Sequence, residues 1–309
     1  MRTRLVPLLS LIAVLGCSSS NDNTGLASSS GSSSGSSSGS GGGGSGGASN
    51  GAGGNGGEGG VSFTSSSGTG GAGGGAVTCS DKLTMRVRDF SEAHPDFQWS
   101  GHPNFGQIVG VRPGIVAKDL AQQPDGTYKP VYVAGGEVGP NGPTYAPFTG
   151  AANFDTWYRD TPGVNFATNV ELPLITDGTS LVYDDANFHP IDATFGFGNE
   201  GFELNGMPNN WHFTSEAIAS FRYQGGEVFT FRGDDDIWIF INHKLAIDLG
   251  GLHGPEQGSV DLDQRAAELG LVIGQVYDLQ VFHAERNFSG SNYRFETSNF
   301  CLLPVDPPK

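Results

Sequence analysis

Apolar residues along this chain come in short blocks, several with every second position apolar, broken about every ten residues by Gly, Pro, Asn or Asp. Leu83-Thr84-Met85-Arg86-Val87, Ser180-Leu181-Val182-Tyr183 and Val276-Tyr277-Asp278-Leu279-Gln280-Val281-Phe282 are examples, and each predicts a strand. Asp125-Gly126 and Asp177-Gly178 supply left-handed turn formers for hairpins. Asn242-His243-Lys244, between the apolar runs 239–241 and 245–247, predicts another tight turn. Helical signal is slight. Residues 263–269 predict one or two turns and 154–159 one, while 215–221 has mild helical character in competition with strand neighbours. The expected class is all-β, a sandwich or barrel-like domain with long loops and little helix.

One stretch interrupts the pattern. In Phe229-Thr230-Phe231-Arg232-Gly233-Asp234-Asp235-Asp236-Ile237-Trp238-Ile239-Phe240-Ile241-Asn242, two aromatic-rich runs flank a glycine and three carboxylates. The runs suit a pleated, buried surface, but an unpaired carboxylate is costly to bury. The triplet therefore belongs at a strand end or loop rim, compensated by a cation or by hydrogen-bond donors. Apolar neighbours on both sides of Trp238 place it in the core, and Trp157 and Trp211 read as packing residues too.

Composition divides the chain. Arg2 and Arg4 precede an apolar run over 5–15 that is too short to span a bilayer. Val14-Leu15-Gly16-Cys17 follows, then Ser18-Ser19-Ser20. This resembles the bacterial lipoprotein lipobox closing a signal segment over 1–17, which implies that Cys17 is lipidated and becomes the first residue of the mature chain. With no Asp after Cys17, the resemblance implies an outer-membrane or cell-surface destination. Residues 18–77 are almost entirely Gly, Ser, Ala, Asn and Thr, with too little apolar surface to offset the entropy of ordering. They read as a disordered tether with a root-mean-square span on the order of 40 Å. The globular composition covers 78–309, with Cys79 and Cys301 near its ends. In an exported chain this pair predicts a disulfide joining the ends of one domain; two unpaired thiols are the alternative.

Several patches together resemble the fibro-slime domain. They are Val87-Arg88-Asp89-Phe90 with His94-Pro95-Asp96-Phe97, Trp157-Tyr158-Arg159-Asp160 with Gly163-Val164-Asn165, and His189-Pro190-Ile191-Asp192. His212-Phe213-Thr214-Ser215-Glu216, the run from Gly226 to Asp236, 246–253 and Phe282-His283-Ala284-Glu285-Arg286 complete the series. That family has a core similar to the PA-fourteen (PA14) domain, a β-barrel-like module that often binds carbohydrate. The resemblance implies a core over about 210–301 with the preceding part wrapped on it. In adhesin members two adjacent aspartates joined by a cis peptide bind Ca²⁺, and a second loop completes the site. On that mapping Asp234 and Asp235 are the adjacent pair, with Asp236 as an added carboxylate where many members have glycine. Asn287 and Asn292, in the loop 286–292, are the oxygen donors of the second arm, and His253 joins Asp234, Asp235 and Asn287 as a ligand-binding residue. In a regular strand Asp234 and Asp235 would point to opposite faces, so a shared ion requires a bent backbone between them.

Other readings stand beside this one. The triplet could be an Asx-type turn capped by Arg232 or Arg286. Asp248, opposite the Trp238 strand, reads as a structural carboxylate. His253, His283 and Glu285 make an imaginable zinc set without a recognised spacing, and Glu285-Arg286 reads better as an ion pair. The chain has no nucleophile elbow, phosphate loop or HExxH run. A formal charge of −16 argues against nucleic-acid or anionic-lipid binding by the domain. The leading expectation is a non-enzymatic, calcium-dependent glycan-binding or adhesion module, touching the membrane only through a lipid anchor. A structural matrix or envelope protein ranks second and a polysaccharide hydrolase third.

Overall fold

The computed structural model describes residues 78–97, 110–133, 138–139, 142–143, 148–191, 195–199, 203–204 and 207–309. Cys17 and the tether over 18–77 lie outside the described residues. In chain order the first elements are β1 (Lys82–Phe90), β2 (Ala121–Gln122), β3 (Tyr128–Lys129), β4 (Val138–Gly139), β5 (Gly142–Pro143) and the short helix α1 (Ala151–Phe154). Then come β6 (Asn165–Pro173), β7 (Ile175–Asp177), β8 (Ser180–Asp185), β9 (Glu203–Leu204), β10 (Met207–Pro208) and β11 (Phe213–Arg222). The remainder is β12 (Val228–Gly233), β13 (Asp236–Ile241), β14 (Lys244–Leu249), β15 (Glu256–Asp261), α2 (Leu262–Leu269), β16 (Val276–Glu285), β17 (Tyr293–Ser298) and β18 (Leu302–Leu303).

Two antiparallel sheets make a β-sandwich. The larger runs β14-β13-β16-β11-β1-β6, with β18 also paired to β11, and the smaller runs β15-β12-β17-β8-β7. Side chains alternate across a strand, so each sheet gives one face to the interior. Phe213, Phe221, Ile237, Ile239 and Val281 from the larger sheet meet Phe229, Phe231, Tyr293 and Phe295 from the smaller. The larger sheet also buries its outer face. There Trp238, Phe240 and Phe282 pack against Phe90, Phe97, Ile115, Phe154 and Trp157, mostly from segments between β1 and β6. Strand β13 is consequently buried on both faces, which is why it reads as an unbroken apolar run rather than an alternating one. Trp157, Trp211 and Trp238 are all fully buried.

The hairpin turns fall where the sequence places them. Gly126 and Gly178 have positive φ, and Asn242 and His243 form the two-residue β13–β14 turn at φ 51° and 62°. Helix α2 starts on Asp261, whose carboxylate accepts from the backbone N–H groups of Asp263 and Gln264, and stops at left-handed Gly270. Residues 215–221 are strand, because β11 has β1 on one side and β16 on the other and sheet pairing overrides a mild local preference. Cys79 and Cys301 are bonded, with Cα atoms 5.0 Å apart. The sandwich is larger than 210–301: β1 and β6 extend the first sheet and β7 and β8 the second, so the earlier part of the chain supplies strands as well as the outer layer.

Candidate cation site

Three connections pass from one sheet to the other at the same end of the sandwich: Asp234-Asp235 between β12 and β13, residues 250–255 between β14 and β15, and residues 286–292 between β16 and β17. Gly233 permits their close approach. A Cβ there would sit 2.5 Å from the Asn292 carbonyl oxygen and 2.9 Å from the Phe231 ring. Gly233→Ala is therefore expected to cost about 1–3 kcal/mol, the usual range for overpacking, read as a lower urea midpoint. An unchanged midpoint would mean that the 286–292 arm yields freely.

The Asp234–Asp235 peptide is cis, and both carboxylates are held by the 286–292 arm. Asp234 Oδ1 accepts from the Asn292 N–H, and Oδ2 accepts from Asn292 Nδ2 at 3.0 Å. Asp235 Oδ2 accepts from the N–H groups of Arg286 and Asn287 at 2.9 and 2.8 Å. Behind them the Asp235 N–H donates to the Ala284 carbonyl at 3.1 Å. His283 Nε2 lies 2.7 Å from the Asp234 carbonyl oxygen and Nδ1 lies 3.2 Å from Ser215 Oγ. Burial holds this imidazole neutral, its pKa pushed down to about 4. Nε2–H then donates to the carbonyl, and Nδ1 accepts from Ser215. Ser215 and His283 are both buried, so this pair braces the backbone rather than serving as a nucleophile and base.

The electrostatics are unfavourable without a cation. Asp234 and Asp235 are each 2% exposed. Burial, then the neighbouring Asp235 charge, raises Asp234 to about 7. Burial raises Asp235 to about 6, against the opposing pull of the Arg286 guanidinium. Glu285 is a third member that the sequence reading assigned elsewhere. Burial and then the charges of Asp235 and Asp234 push it well above the usual carboxylate range. Glu285 Oε2 and Asn287 Oδ1 are buried without a hydrogen-bond partner. Orphaned buried oxygens beside two carboxylates make a hard-oxygen set, which suits calcium better than a soft metal.

Three residues stand differently from the sequence expectation. Asp236 does not join the other two aspartates: its Oδ1 accepts from the Gly251 N–H, and its Oδ2 lies 2.6 Å from both Nε and Nη2 of Arg286. Arg286 thus pairs with Asp236 and not with Glu285. The cause is strand alternation. Ala284 and Phe282 face the outer layer, as Arg286 does, whereas Val281 faces the main core, on the side of Glu285. Asp236 shares the outward parity of Trp238 and Phe240. Counting that alternation from Trp238 and Phe282 would have found both assignments in the sequence. His253 does not present a free ring, because its nitrogens lie 2.7 and 2.8 Å from the carbonyl oxygens of Gly254 and Leu249. The zinc set is not assembled, and among the described residues no three of His, Cys, Asp and Glu converge as a ready metal site. Any ion here would rely on amide and carbonyl oxygens as well. Asp248 is structural: it accepts from Trp238 Nε1 at 3.1 Å and from the Gly114 N–H at 2.8 Å. Arg232 pairs with Asp184 at 3.2 Å, away from the triplet.

Known proteins resemble the chain in part. Protein psiD of Dictyostelium discoideum is 36% identical over 230 residues, covering 72% of this chain and 42% of psiD. Protein psiB of the same organism is 41% identical over 156 residues, covering 47% of this chain and 26% of psiB. The chain thus spans less than half the length of these relatives. Among solved structures, the epithelial adhesin 6 A domain of Candida glabrata, in complex with Galb1-3GlcNAc, shares 13% identity and covers 75% of this chain and 90% of its own, with a TM-score of 0.31. The PA14 sugar-binding domain of an RTX adhesin shares 12% and covers 41% and 77%, with a TM-score of 0.22. The family model of the PA14 domain matches residues 160–299. That match begins some 50 residues before the core inferred from the fibro-slime resemblance, in keeping with the strands that β6 to β8 add to both sheets. Over residues 160–299 the chain carries a PA14 domain.

Proposed function

We propose that this protein is a surface-tethered, calcium-dependent glycan-binding or adhesion module, lipid-anchored at Cys17 and carried on the tether over 18–77. The PA14 domain supports the module, and its fibro-slime extension is the outer layer between β1 and β6. The observation that carries the calcium reading is the corner itself. Asp234, Asp235 and Glu285 are gathered in a buried place where their charges repel, beside the unpartnered Oδ1 of Asn287. Asp234, Asp235 and Asn287 would hold the ion, with backbone carbonyls of the 286–292 arm. Calcium takes six to eight oxygens, typically, and adjacent sugar hydroxyls are oxygens of the kind that complete such a shell. Bound there, calcium would supply the positive charge that the corner lacks. Asn292 serves as a brace, because its two N–H contacts fix the Asp234 carboxylate. The near-complete burial of both aspartates favours a second reading, in which calcium only stabilises an envelope or matrix protein.

A glycan array probed with the chain in calcium and in chelator separates the two. The glycan-binding reading expects calcium-dependent retention, abolished by joint Asp234→Asn and Asp235→Asn substitution. A calcium-dependent rise in melting temperature with no glycan retained supports the second reading and sinks the first.

A further inference from the structure

Arg286 joins the acidic corner to a layer that precedes the matched PA14 stretch. Its side chain is fully buried. The guanidinium lies 4.5 Å from the centroid of the Phe148 ring and 5.0 Å from that of Trp157, an aromatic cage that attracts a desolvated cation through the ring faces. Nη1 donates to the Asp96 carbonyl at 3.1 Å, Nε donates to Asp236 Oδ2, and the backbone N–H of the same residue donates to Asp235 Oδ2. The layer is itself tied together. Asp96 Oδ1 accepts from the N–H and Oγ1 of Thr149, both at 2.7 Å, and Asp96 Oδ2 accepts from Trp157 Nε1 at 3.1 Å. Asp96, Phe148, Thr149 and Trp157 all come before residue 160, where the PA14 match begins.

We propose that Arg286 is a positioning residue of the cation site and that the Asp96–Trp157–Phe148 layer sets calcium affinity by fixing it. The inference rests on the calcium reading above. Arg286 touches no ion. It holds the first residue of the 286–292 arm, so that its own N–H and that of Asn287 orient Asp235 while Asp236 is kept turned toward the outer layer. Lysine would keep the charge but lose the planar fork that fills the cage and straddles one carboxylate oxygen. Partners that orient ligands from behind typically contribute 10–100-fold in metal affinity, so a comparable loss is expected when the cage is loosened.

The test uses the full chain, with calcium binding by calorimetry and the amide resonances of Arg286 and Asn287 recorded without calcium. Arg286→Lys is expected to weaken calcium at least tenfold and to shift both amide resonances. Trp157→Phe keeps an aromatic ring beside the guanidinium and removes the Nε1 bond to Asp96 together with part of the buried ring. It is expected to weaken calcium several-fold and to shift the same resonances, and it stands in should Arg286→Lys fail to fold. Affinity within twofold of the parent in folded variants, with a lower melting temperature, makes the cage merely structural and overturns the inference. Absence of calcium binding by the parent chain overturns the calcium reading itself, and this inference with it.

Discussion

In chelator the ionisation of Asp234 and Asp235 is expected to destabilise the protein as pH rises from about 4 to about 7. The buried neutral His94 and His283 oppose it with a gain between about pH 4 and 6.5, and millimolar calcium is expected to lessen the carboxylate penalty. Asp234 and Asp235 have folded pKa values near 7 and 6 against an ordinary 3.8. Between the ordinary and the raised value these carboxylates bind more protons in the folded chain than in the unfolded one, so their contribution to stability falls as pH increases. Below about pH 4 both states are protonated and the penalty is absent; above about pH 7 it is complete. For Asp234 alone it is on the order of 4 kcal/mol at neutral pH. A calcium ion held at the corner would take the place of those protons. It binds only deprotonated ligands, so its affinity rises through the same window, and at a hundred times its dissociation constant it adds about 2.7 kcal/mol. Thermal melts at pH 5 and pH 7.5, with chelator and with calcium, on the parent and on the joint Asp234→Asn, Asp235→Asn variant separate the carboxylate contribution from that of the histidines. Melting temperatures indifferent to calcium at both pH values would sink the calcium reading.

Replacing Cys79 and Cys301 with serine is expected to cost roughly 5 kcal/mol, the loop-entropy value for a closure of this length; the bonded residues are 222 apart in sequence. The contacts around the bond are modest by comparison. The Ser80 N–H donates to the Leu302 carbonyl, and β18 adds only two residues to the edge of β11. The loss should therefore fall on global stability, read as a drop in the denaturant midpoint, with a steeper slope because the uncrosslinked denatured chain exposes more surface. A double variant within 1 kcal/mol of the parent would show that strand pairing alone holds the two ends.

Local chemistry carried much of the fold into the sequence. Asn242-His243 and the Asp-Gly pairs mark turns because each supplies a residue tolerant of positive φ. Trp238 is recognisable as core from its apolar neighbours. The acidic triplet is recognisable as a strand end from the cost of burying its charges. Partnership within the site was less legible, since it depends on which face each side chain takes after the chain crosses between sheets. Arg286 follows Glu285 directly yet serves the opposite face, and Asp236 follows Asp235 yet leaves it for Arg286. His253 has the chemistry of a ligand, but its nitrogens lie against carbonyl oxygens of its own loop and of the last residue of β14, and loop conformation leaves no periodic trace. The outer layer was hardest to read, because Phe97, Phe148 and Trp157 come from segments without regular structure, held in place by the face they cover.

The two ends of the sandwich differ in what enters them. Phe213 pairs with both Asp89 and Glu285 at the acidic end, while Arg222 pairs with Val276 at the other, where Phe221 faces Leu302 one residue from Cys301. Cys79 and the acidic corner are thus separated by the length of the long strands, roughly 30 Å for ten residues. Tension between a ligand held at the corner and the chain leading into Cys79 would act along β1, β11 and β16. Their interstrand hydrogen bonds would carry the load together in shear, instead of opening one after another as in a peeled hairpin. Because Cys79 is bonded to Cys301, force entering at Cys79 is shared at once with β18 and its partner β11, so the terminal strand cannot be drawn out alone.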